Sequence, residues 1–554
     1  MFHRGVPAAA QLLLLLLSAM CLAQVALAGP VLELQVHRAI MFNRQLGNDD
    51  ESLFGSRSVL LRGEVVPFTA TGATASSYRG YTVYVACREH LSKSALQHLA
   101  APGSSTAAKG MIVELCETDT ANEESLALFF STSAADIPVY FLAHGAASGG
   151  LARLLSSAAQ HSATERVVLS VGKTLRLSEP VANVSLPSTT IEGQYVNKPK
   201  EVRKKSTAVP QVLVSAHFDT LGVSPASLTS GGASGAVAAM ELWRRLTAAT
   251  AAQQEAAAPH SVTVLLGSTS RFNYAGTTSW ISKHTDAELD RLTAVLCLDE
   301  LLPPRDAVAT DAPELYLHVQ DVLMKRPHGQ QVVEQVEAAA AALGVSLKVM
   351  AAKTNYQHYD LRFEHEVFSS RQMTAMTLSA HRTHHVDQIF RDIRRPPLTT
   401  ADAATLAKRA DLVEAIVRVL AGAAPLASVT SPAWPGAVSY VQGQLQHAAE
   451  SHRSPVSRSG ADLRHYAATL EQHMRALAAP AQRSALASAT TTATQQRLRI
   501  PGITLFGPYE ETVLVYTAKS YLFEGVVAAA SLAALLAFTY AEVGLKVFAR
   551  MLTE

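Results

Sequence analysis

The sequence predicts an α/β fold for residues 201–424: a mixed, mostly parallel sheet with helices on both faces. Uninterrupted apolar runs, such as QVLVSAHF, SVTVLLG and TAVLCL, alternate there with helix-like runs, such as SGAVAAMELWRRL and AATLAKRADLVEAIVRVL. Strands that are buried on both faces of a parallel sheet have such continuous apolar runs, and helices usually connect them. Ser234 is the predicted N-cap of the helix that follows the first strand.

Two further regions flank this predicted domain. Residues 29–200 alternate short β-like runs, such as GYTVYVA and KGMIVELC, with helix-like runs, such as LSKSALQHLAA. This alternation predicts a smaller α/β lobe. Residues 425–518 combine helical stretches with a short β element, RLRIPGITLFGPYEETVLVYTAK. The formal net charge of the 554-residue chain is only +1, so we expect no direct nucleic acid partner.

The N-terminus has the features of a secretory signal peptide. A short basic start precedes the apolar run LLLLLL, and Ala26-Leu27-Ala28 is a small-residue cleavage motif, so residues 1–28 are predicted to be removed. A retained anchor helix is the alternative. After such a signal, the rest of the chain enters an oxidising compartment.

Cysteine and asparagine positions bear on that compartment. Cys87 and Cys116 both end strand-like runs, so they are candidates for a disulfide, with residues 29–200 on the luminal side. Cys297 lies inside the apolar run TAVLCLD and is predicted to be a buried free thiol. Asn183 begins the sequon Asn-Val-Ser and is a candidate glycosylation site.

Residues 519–545 are predicted to form a transmembrane helix, and residues 546–554 a short cytosolic tail. The run GVVAAASLAALLAFTYA carries no charge. With its apolar flanks it reaches the ~20 residues that a helix needs to cross ~30 Å of hydrocarbon. Lys546 and Arg550 follow it, as the positive-inside rule expects of a cytosolic end. A buried Ala-rich helix is the alternative; otherwise the chain is a single-pass type I membrane protein.

A metal-binding motif opens the predicted α/β domain. His217 and Asp219 have H-x-D spacing at the end of the first strand, and Asp299 ends the run TAVLCLD. With the order of the elements, these residues resemble the M28 family of zinc aminopeptidases over residues 209–422. The resemblance implies that His217 and Asp299 occupy zinc-ligand positions and that Asp219 orients His217. The family's last ligand is a histidine, for which the candidates are His381, His384 and His385.

Three acidic positions of the family pattern are lost. The bridging aspartate falls on Gly231, and the paired glutamates fall on Ser270 and Arg271. A guanidinium ~4 Å from a divalent ion would be repelled by roughly 8 kcal/mol at an effective dielectric near 20. Hydrolysis also needs a base for the metal-bound water. We therefore expect no catalytic residue, no bound metal and no other cofactor.

Other chemical interpretations have less support. A single zinc ion on His217, Asp299 and one late histidine stays open. Ser268 and Ser270 lack the G-x-S-x-G elbow of a serine nucleophile. The segment 364–366, Glu-His-Glu, lacks the second histidine of a zincin helix, so we expect salt bridges there instead.

Four stretches carry a more specific resemblance. HFDTLGVSP, RFNYAGTTSW, VLCLDE and FEHEVFSSRQMTAMTLSAHR are similar to the noncatalytic nicastrin and nicalin branch of the M28 superfamily. The plan of signal peptide, luminal lobe, peptidase-like domain and one late transmembrane helix agrees with that branch, and the chain length favours the nicalin type. SGGASG departs from the G-A-D-S-N-G-S-G that this type is expected to have. The resemblance implies a noncatalytic scaffold subunit in the endoplasmic reticulum membrane.

The resemblance also implies partners. Nicalin-like proteins assemble with a large luminal Nomo-like protein of Ig-like domains and with a small multi-spanning membrane protein. This assembly works in the vicinity of the Sec translocon and the ribosome, in the biogenesis of multipass membrane proteins. Two alternatives stay open: a nicastrin-like subunit of an intramembrane protease complex, and a divergent zinc aminopeptidase.

Overall fold

The structure is a computed structural model of the chain. It describes residues 30–46, 50–70, 78–101, 108–116, 121–132, 134–160, 165–171, 181–182, 185–198, 209–226, 232–302, 315–354, 361–383, 398–422, 434–456, 461–500, 502–507, 509–519, 525–526, 528–533, 544, 546–547 and 550.

Nineteen strands lie in these described residues. In chain order they are β1 (Leu32–Arg38), β2 (Met41–Leu46), β3 (Asp50–Phe54), β4 (Arg62–Pro67), β5 (Thr82–Val85), β6 (Gly110–Leu115), β7 (Val139–Ala143), β8 (Glu165–Val171), β9 (Val181–Ala182), β10 (Leu186–Asn197), β11 (Gln211–His217), β12 (His260–Gly267), β13 (Leu292–Leu298), β14 (Leu315–Gln320), β15 (Leu347–Ala352), β16 (Ala375–Ser379), β17 (Ala487–Leu498), β18 (Ile503–Gly507) and β19 (Glu510–Lys519).

The principal helices of the described residues are numbered in the same way. They are α1 (Lys93–Ala100), α2 (Ala121–Thr132), α3 (Ala146–Gln160), α4 (Ser234–Ala248), α5 (Ala251–Ala256), α6 (Ala275–Lys283), α7 (Asp286–Leu289), α8 (Asp321–Met324), α9 (Pro327–Ala342), α10 (His365–Ser369), α11 (Thr400–Leu420), α12 (Ala437–Ala449) and α13 (Ala461–Gln482).

The largest sheet has eight strands, in the order β15-β14-β16-β13-β11-β12-β10-β17. Its centre is parallel, because β12, β11, β13 and β16 run side by side in one direction. Strand β14 is antiparallel to β16, and β10 and β17 continue the opposite edge in antiparallel pairs. The predicted mixed sheet with a parallel centre is confirmed. Its central strands are largely buried because both faces are covered.

Helices cover both faces of this sheet, as predicted. On one face α4 packs against α11, α12 and α13, and α9 packs against α11. On the other face α6 and α10 bury Trp280, Ile281 and Phe368 against strand residues such as Leu213 and Val295. The continuous apolar strands and the amphipathic helices thus form one layered core.

The smaller lobe is a closed barrel with the strand order β1-β19-β8-β4-β5-β6-β7. Strands β4, β5, β6 and β7 are parallel neighbours, and β7 closes the ring by pairing with β1. Beside it lies a four-stranded sheet with the order β3-β2-β18-β9. The α/β class of this lobe is as predicted, but the closure of the barrel was not predicted.

The predicted boundaries at residues 200 and 425 do not separate the sheets. Strand β10, from the predicted first lobe, pairs over its whole length with β17, from the predicted membrane-proximal region, and both belong to the large sheet. Strand β19 likewise completes the barrel beside β1. The sequence could not indicate these pairs because their strands are about 300 or more residues apart and no local turn fixes their register.

The cysteines of the described residues are in two states. Cys87 and Cys116 form a disulfide with Cα atoms 5.6 Å apart. Cys297, in β13, is free and buried, as the apolar run around it predicted. The disulfide joins the ends of two parallel strands of the barrel.

Several predicted features lie wholly or largely outside the described residues. They are the signal peptide of residues 1–28, the sequon at Asn183 and most of residues 519–545. Within the described part of the chain, no helix has the length and apolar character to cross a membrane. Residues 525–526 and 528–533 are helical, and Val526 and Leu532 are 59% and 58% exposed.

Candidate functional site: a peptidase-like ligand cluster with internal partners

The residues at family ligand positions meet at one edge of the large sheet. His217 is the last residue of β11, Ser270 and Arg271 follow β12, and Asp299 follows β13. These three strands are parallel neighbours, so their carboxyl ends lie together. That edge is where ligands usually bind in open α/β folds. The topology thus brings these candidate residues to one place.

Two glycines allow helices to approach this edge closely. A Cβ atom at Gly235 would overlap the backbone carbonyl oxygens of Leu298 and Asp299. A Cβ atom at Gly276 would overlap the carbonyl oxygen of Ser268. Only glycine permits such backbone contacts, so α4 and α6 begin directly against the ends of β13 and β12.

Ser234 does not cap α4, contrary to the prediction. The N-cap is Ala233, which makes no side-chain cap hydrogen bond, and Ser234 is the first helical residue. Its hydroxyl instead donates to the carboxylate of Glu300 and accepts from the backbone N–H of Leu301, at 2.7 Å. Glu300 also accepts from the backbone N–H of Gly232, at 2.6 Å. A carboxylate after β13 therefore satisfies the start of the helix, in keeping with the positive end of the helix dipole.

His217 faces a carboxylate that the family pattern does not include. Its Nε2 atom lies 3.1 Å from Oε2 of Glu364, and the two side chains are 7% and 2% exposed. The hydroxyls of Ser215 and Thr277 donate to Oε1 of the same carboxylate, at 2.6 and 2.7 Å. Salt bridging by the segment 364–366 was predicted, and Glu364 makes this ion pair.

The charge state of Glu364 follows from these contacts. Burial alone would raise its pKa, but the charge and contact of His217 and the two hydroxyl donors outweigh burial, so the pKa of Glu364 is lowered below its usual value. Burial, together with the nearby carboxylate of Glu364, raises the pKa of the Cys297 thiol. Glu364 is therefore an ionised carboxylate inside the protein, and Cys297 is a neutral thiol.

Two buried polar side chains at this edge, His217 and Ser270, lack well-aligned hydrogen bonds among the described residues. Neither ring nitrogen of His217 has a well-aligned hydrogen-bond partner among the described residues, although Nε2 is within ion-pair distance of Glu364. The hydroxyl of Ser270 is also buried without a hydrogen-bond partner.

The turn after β12 holds Ser270 and Arg271, the residues that the sequence pattern aligns with the family's glutamates. Ser270 donates its backbone N–H to the carboxylate of Asp219, at 3.0 Å to Oδ2, and Arg271 is 7% exposed. Thr269, Asn273 and Tyr274 have φ angles of 66°, 53° and 50°. Left-handed conformations of non-glycine residues cluster in functional loops. The backbone of this turn is therefore specialised even though its side chains carry no carboxylate.

The remaining positions are joined through Ser379. Its hydroxyl donates to Oδ2 of Asp299 at 2.8 Å and accepts from the backbone N–H of His381 at 3.0 Å. The carbonyl oxygen of His381 accepts from Nε2 of His318, at 2.8 Å. Asp299 and His381 are thus close neighbours through Ser379.

Two further histidines near this edge are neutral. Burial lowers the pKa of His318 to about 4 and the pKa of His365 to about 3. The ring of Phe363 stacks on the imidazole of His318, with centroids 3.8 Å apart, and Nδ1 of His365 lies 3.0 Å from the hydroxyl of Thr377. Such surroundings favour the uncharged imidazole.

The residues at this edge do not fit a pair of zinc ions. Nε2 of His217 contacts Glu364, Ser270 and Arg271 carry a hydroxyl and a guanidinium, and the carboxylate of Asp299 accepts from Ser379. Among the described residues, the only group of three His, Cys, Asp or Glu with ligand atoms within 4.8 Å of one another is Cys87, Glu114 and His144, in the barrel. A dinuclear zinc site needs several carboxylates around two divalent charges.

Three predicted site residues lie outside the described part of the chain, and two residues of the site were not predicted. Gly231, His384 and His385 lie outside the described residues. Glu300 and Glu364 were not predicted as members of the site. The unusual run FEHE was noticed, but its partner His217 lies 147 residues earlier, and only the fold brings the two together.

The fold and the remaining ligand positions define a class: an α/β protein with the architecture of an M28-type peptidase. Residues 200–407 match the model of Peptidase family M28. The match covers the large sheet's parallel centre and all the residues predicted at ligand positions.

More particular relatives follow from the sequence. The chain is 29% identical to BOS complex subunit ncln of Danio rerio over 238 residues, 40% of this chain and 39% of that protein. It is 26% identical to BOS complex subunit NCLN of Homo sapiens over 223 residues, 38% of each chain. The matched segment thus spans less than half the length of these curated relatives.

A solved structure is similar over more of the chain. The crystal structure of the gamma-secretase component Nicastrin superposes with a TM-score of 0.55 and 9% sequence identity, covering 89% of this chain and 100% of that chain. At this identity the likeness shows a shared fold. With the sequence matches, it confirms the predicted resemblance to the nicastrin and nicalin branch of the M28 superfamily.

Proposed function

We propose that this protein is a noncatalytic scaffold subunit of an endoplasmic reticulum membrane complex that supports the biogenesis of multipass membrane proteins. The observation that carries the proposal is the ion pair between His217 and Glu364. A zinc peptidase needs this histidine to hold metal and a carboxylate to activate water. Here the histidine and the available carboxylate are paired with each other, and Ser270 and Arg271 replace the family's glutamates.

The role in a complex is supported by the relatives. Relatives that match about two fifths of this chain carry the name BOS complex subunit. The expected partners are a Nomo-like luminal protein and a small multi-spanning membrane protein, beside the Sec translocon and the ribosome. Because the core of the fold is intact while several of the carboxylates that a zinc peptidase needs are missing, we infer a structural role rather than a catalytic one.

The membrane arrangement is part of the same proposal. A signal peptide at residues 1–28, a helix across the membrane at 519–545 and a cytosolic tail at 546–554 would place the described sheets in the lumen, where Asn183 would receive a glycan. Val526 and Leu532 are exposed apolar side chains on helical residues of this segment, as a lipid-facing helix would have.

The first test is co-purification of the full chain from digitonin-solubilised endoplasmic reticulum membranes. We expect the luminal Ig-like partner and the small multi-spanning protein to be recovered in near-equal amounts with the chain. The variant Leu532→Arg adds a charge to the apolar segment. The control, Arg475→Leu, removes a charge from the exposed side of α13. Only Leu532→Arg should reduce membrane retention and recovery. Recovery of a presenilin-like protease instead would replace the proposal with the nicastrin-like alternative.

The second test separates the scaffold from an enzyme. Chain purified without chelators or reductant is assayed for zinc and for hydrolysis of aminoacyl amides, together with Asp299→Ala and the exposed control Asp286→Ala. We expect less than about 0.1 zinc ion per chain in all three and no hydrolysis, because the donor set lacks the necessary carboxylates. One or two zinc ions that disappear only in Asp299→Ala, with measurable hydrolysis, would overturn the proposal.

A further inference from the structure

A second cluster of ligand-type side chains lies in the barrel, away from the peptidase-like edge. Cys87, Cys116 and His144 follow the ends of β5, β6 and β7, and Glu114 lies within β6. These strands are parallel neighbours, so their carboxyl ends form one rim. The topology therefore gathers two sulfur atoms, an imidazole and a carboxylate from three strands.

The ligand-type atoms of Cys87, Glu114 and His144 lie close to one another. Nδ1 of His144 lies 2.7 Å from Oε1 of Glu114 and 4.0 Å from Sγ of Cys87. The ligand atoms of Cys87, Glu114 and His144 are all within 4.8 Å of one another. Around a tetrahedral zinc ion with Zn–S near 2.3 Å and Zn–N near 2.0 Å, the distance between ligand atoms is roughly 3.5 Å. Sγ of Cys116 is bonded to Sγ of Cys87 in the disulfide form, so it can act as a further sulfur ligand only after reduction.

Supporting contacts hold the carboxylate of Glu114 in place. The hydroxyl of Tyr84 and the backbone N–H of Cys87 donate to its Oε2, at 3.0 and 3.1 Å. Burial alone would raise the pKa of Glu114, but contacts from Ser148, His144, Cys87 and Tyr84 lower it overall. Oriented outer contacts of this kind are typical of metal ligands. The side chain of His144 is 55% exposed, so an ion can enter from solvent.

We propose that the dithiol form of this protein binds one Zn²⁺ through Cys87, Cys116, His144 and Glu114. A dithiol reductant transfers two electrons and two protons to the disulfide and itself becomes a disulfide. The two thiols then lose their protons as zinc binds, giving two thiolates, one imidazole and one carboxylate around the ion. Rotation of the cysteine side chains about their Cα–Cβ bonds opens the sulfur atoms to the roughly 3.8 Å that zinc requires.

The disulfide form offers no such site, because a thiolate is the metal ligand. Disulfide and metal are therefore alternative crosslinks between the same strand ends. The proposal concerns residues other than His217, Asp299 and His381, and it does not rest on the scaffold function.

The test uses the full chain in detergent, reduced with a phosphine that does not bind zinc, and titrated anaerobically with Co²⁺ and then Zn²⁺. We expect one Co²⁺ per chain, with near-ultraviolet thiolate-to-cobalt absorption and the visible bands of a tetrahedral ion, displaced by Zn²⁺. Unreduced chain should show none of these bands. A Cys297→Ser background removes the buried thiol in β13 as a source of absorption.

Matched variants locate the ion. His144→Asn should weaken Co²⁺ binding at least tenfold, whereas His90→Asn, at an exposed histidine of the same lobe, should leave it unchanged. Cys116→Ser cannot form the disulfide and should bind Co²⁺ without reduction, more weakly and with about half the thiolate absorption. If this variant is folded by circular dichroism and shows no thiolate absorption, or if His144→Asn binds as tightly as the parent, the proposal is wrong. If the unreduced chain binds zinc and Asp299→Ala loses it, that zinc ion lies at the peptidase-like edge and not in the barrel.

Discussion

In the described part of the chain, two histidines at the carboxyl ends of parallel strands each contact a glutamate, and the two histidines differ in their access to water. In the large sheet, His217 and Glu364 are 3.1 Å apart and 7% and 2% exposed. In the barrel, His144 and Glu114 are 2.7 Å apart, but the histidine is 55% exposed. Both pairs join an imidazole to a buried carboxylate, and only the exposure of the histidine differs strongly.

This difference shows that burial decides what such a pair can do. An enclosed pair, with Ser215 and Thr277 also donating to the carboxylate, compensates its own charge and leaves little reason for a metal to enter. A half-exposed pair keeps a nitrogen accessible to solvent and has two sulfur atoms beside it. The His217 and Glu364 pair is therefore part of the buried core, while the half-exposed His144 lies beside a sulfur ligand atom.

The largest effect is expected from Glu364→Ala. This change leaves His217 without its charge partner and Ser215 and Thr277 without their acceptor. Breaking a buried ion pair from one side costs about 3–5 kcal/mol, so the free energy of unfolding from chemical denaturation should fall by that amount. Glu364→Gln keeps an oxygen acceptor and should lose roughly half as much.

Glu337→Ala, at an exposed position of α9, is the matched control and should change stability by less than about 0.5 kcal/mol. A loss below 1 kcal/mol in folded Glu364→Ala would show that the enclosed pair is not a stabilising element. A zinc ion bound by Glu364→Ala, but not by the parent, would show that the carboxylate keeps metal out rather than supporting the core.

An intermediate effect on the free energy of unfolding is expected when the pH is lowered, and it should come from His318 in the large sheet. Burial lowers the pKa of His318 to about 4, whereas an imidazole in an unfolded chain has a pKa near 6.5. The unfolded chain therefore binds a proton between these values that the folded protein does not bind. The stability contributed by neutral His318 is complete above about pH 6.5 and falls as pH decreases, by up to ~1.4 kcal/mol per pH unit and about 3 kcal/mol in total by pH 4.

Unfolding free energies measured from pH 7.5 to 4.5 test this expectation. His318→Gln keeps a donor for the carbonyl oxygen of His381 and should lower the slope by nearly one proton, whereas His328→Gln, exposed in α9, should not change it. Equal slopes in parent and His318→Gln would mean that His318 takes up a proton in the folded state. Neutral His365 should likewise contribute stability that falls as the pH decreases, because burial lowers its pKa to about 3.

Local patterns were sufficient to predict most elements of the large sheet. The runs that predicted β11, β12 and β13 are apolar because both faces of these strands are buried. The closed barrel and the pairing of β10 with β17 were not predicted, because they depend on strands from opposite ends of the chain. Such contacts leave no periodic signal in either strand.

The site was predictable only in part, for the same reason. The spacing of His217 and Asp219 and the position of Asp299 followed from the motif, and the fold places them at one edge. Glu364 could not be assigned to His217, because a carboxylate in a Glu-His-Glu run has many acceptable partners. Ser234 was wrong as an N-cap, because Glu300 from the next strand end binds its hydroxyl, and sequence periodicity does not contain that contact.

The smallest effect is expected from His144→Asn in the disulfide form. The ion pair with Glu114 is short, but a side chain that is 55% exposed exchanges it for water, so its loss should lower the free energy of unfolding by less than about 1 kcal/mol. Glu114→Gln should lower it more, because this carboxylate is buried and accepts from the hydroxyl of Tyr84 and the backbone of Cys87. Chemical denaturation of both variants without reductant measures the difference. A loss above 2 kcal/mol for His144→Asn would mean that the barrel pair stabilises the protein about as much as the enclosed pair of the large sheet. The exposure of the histidine would then not explain the difference between the two pairs.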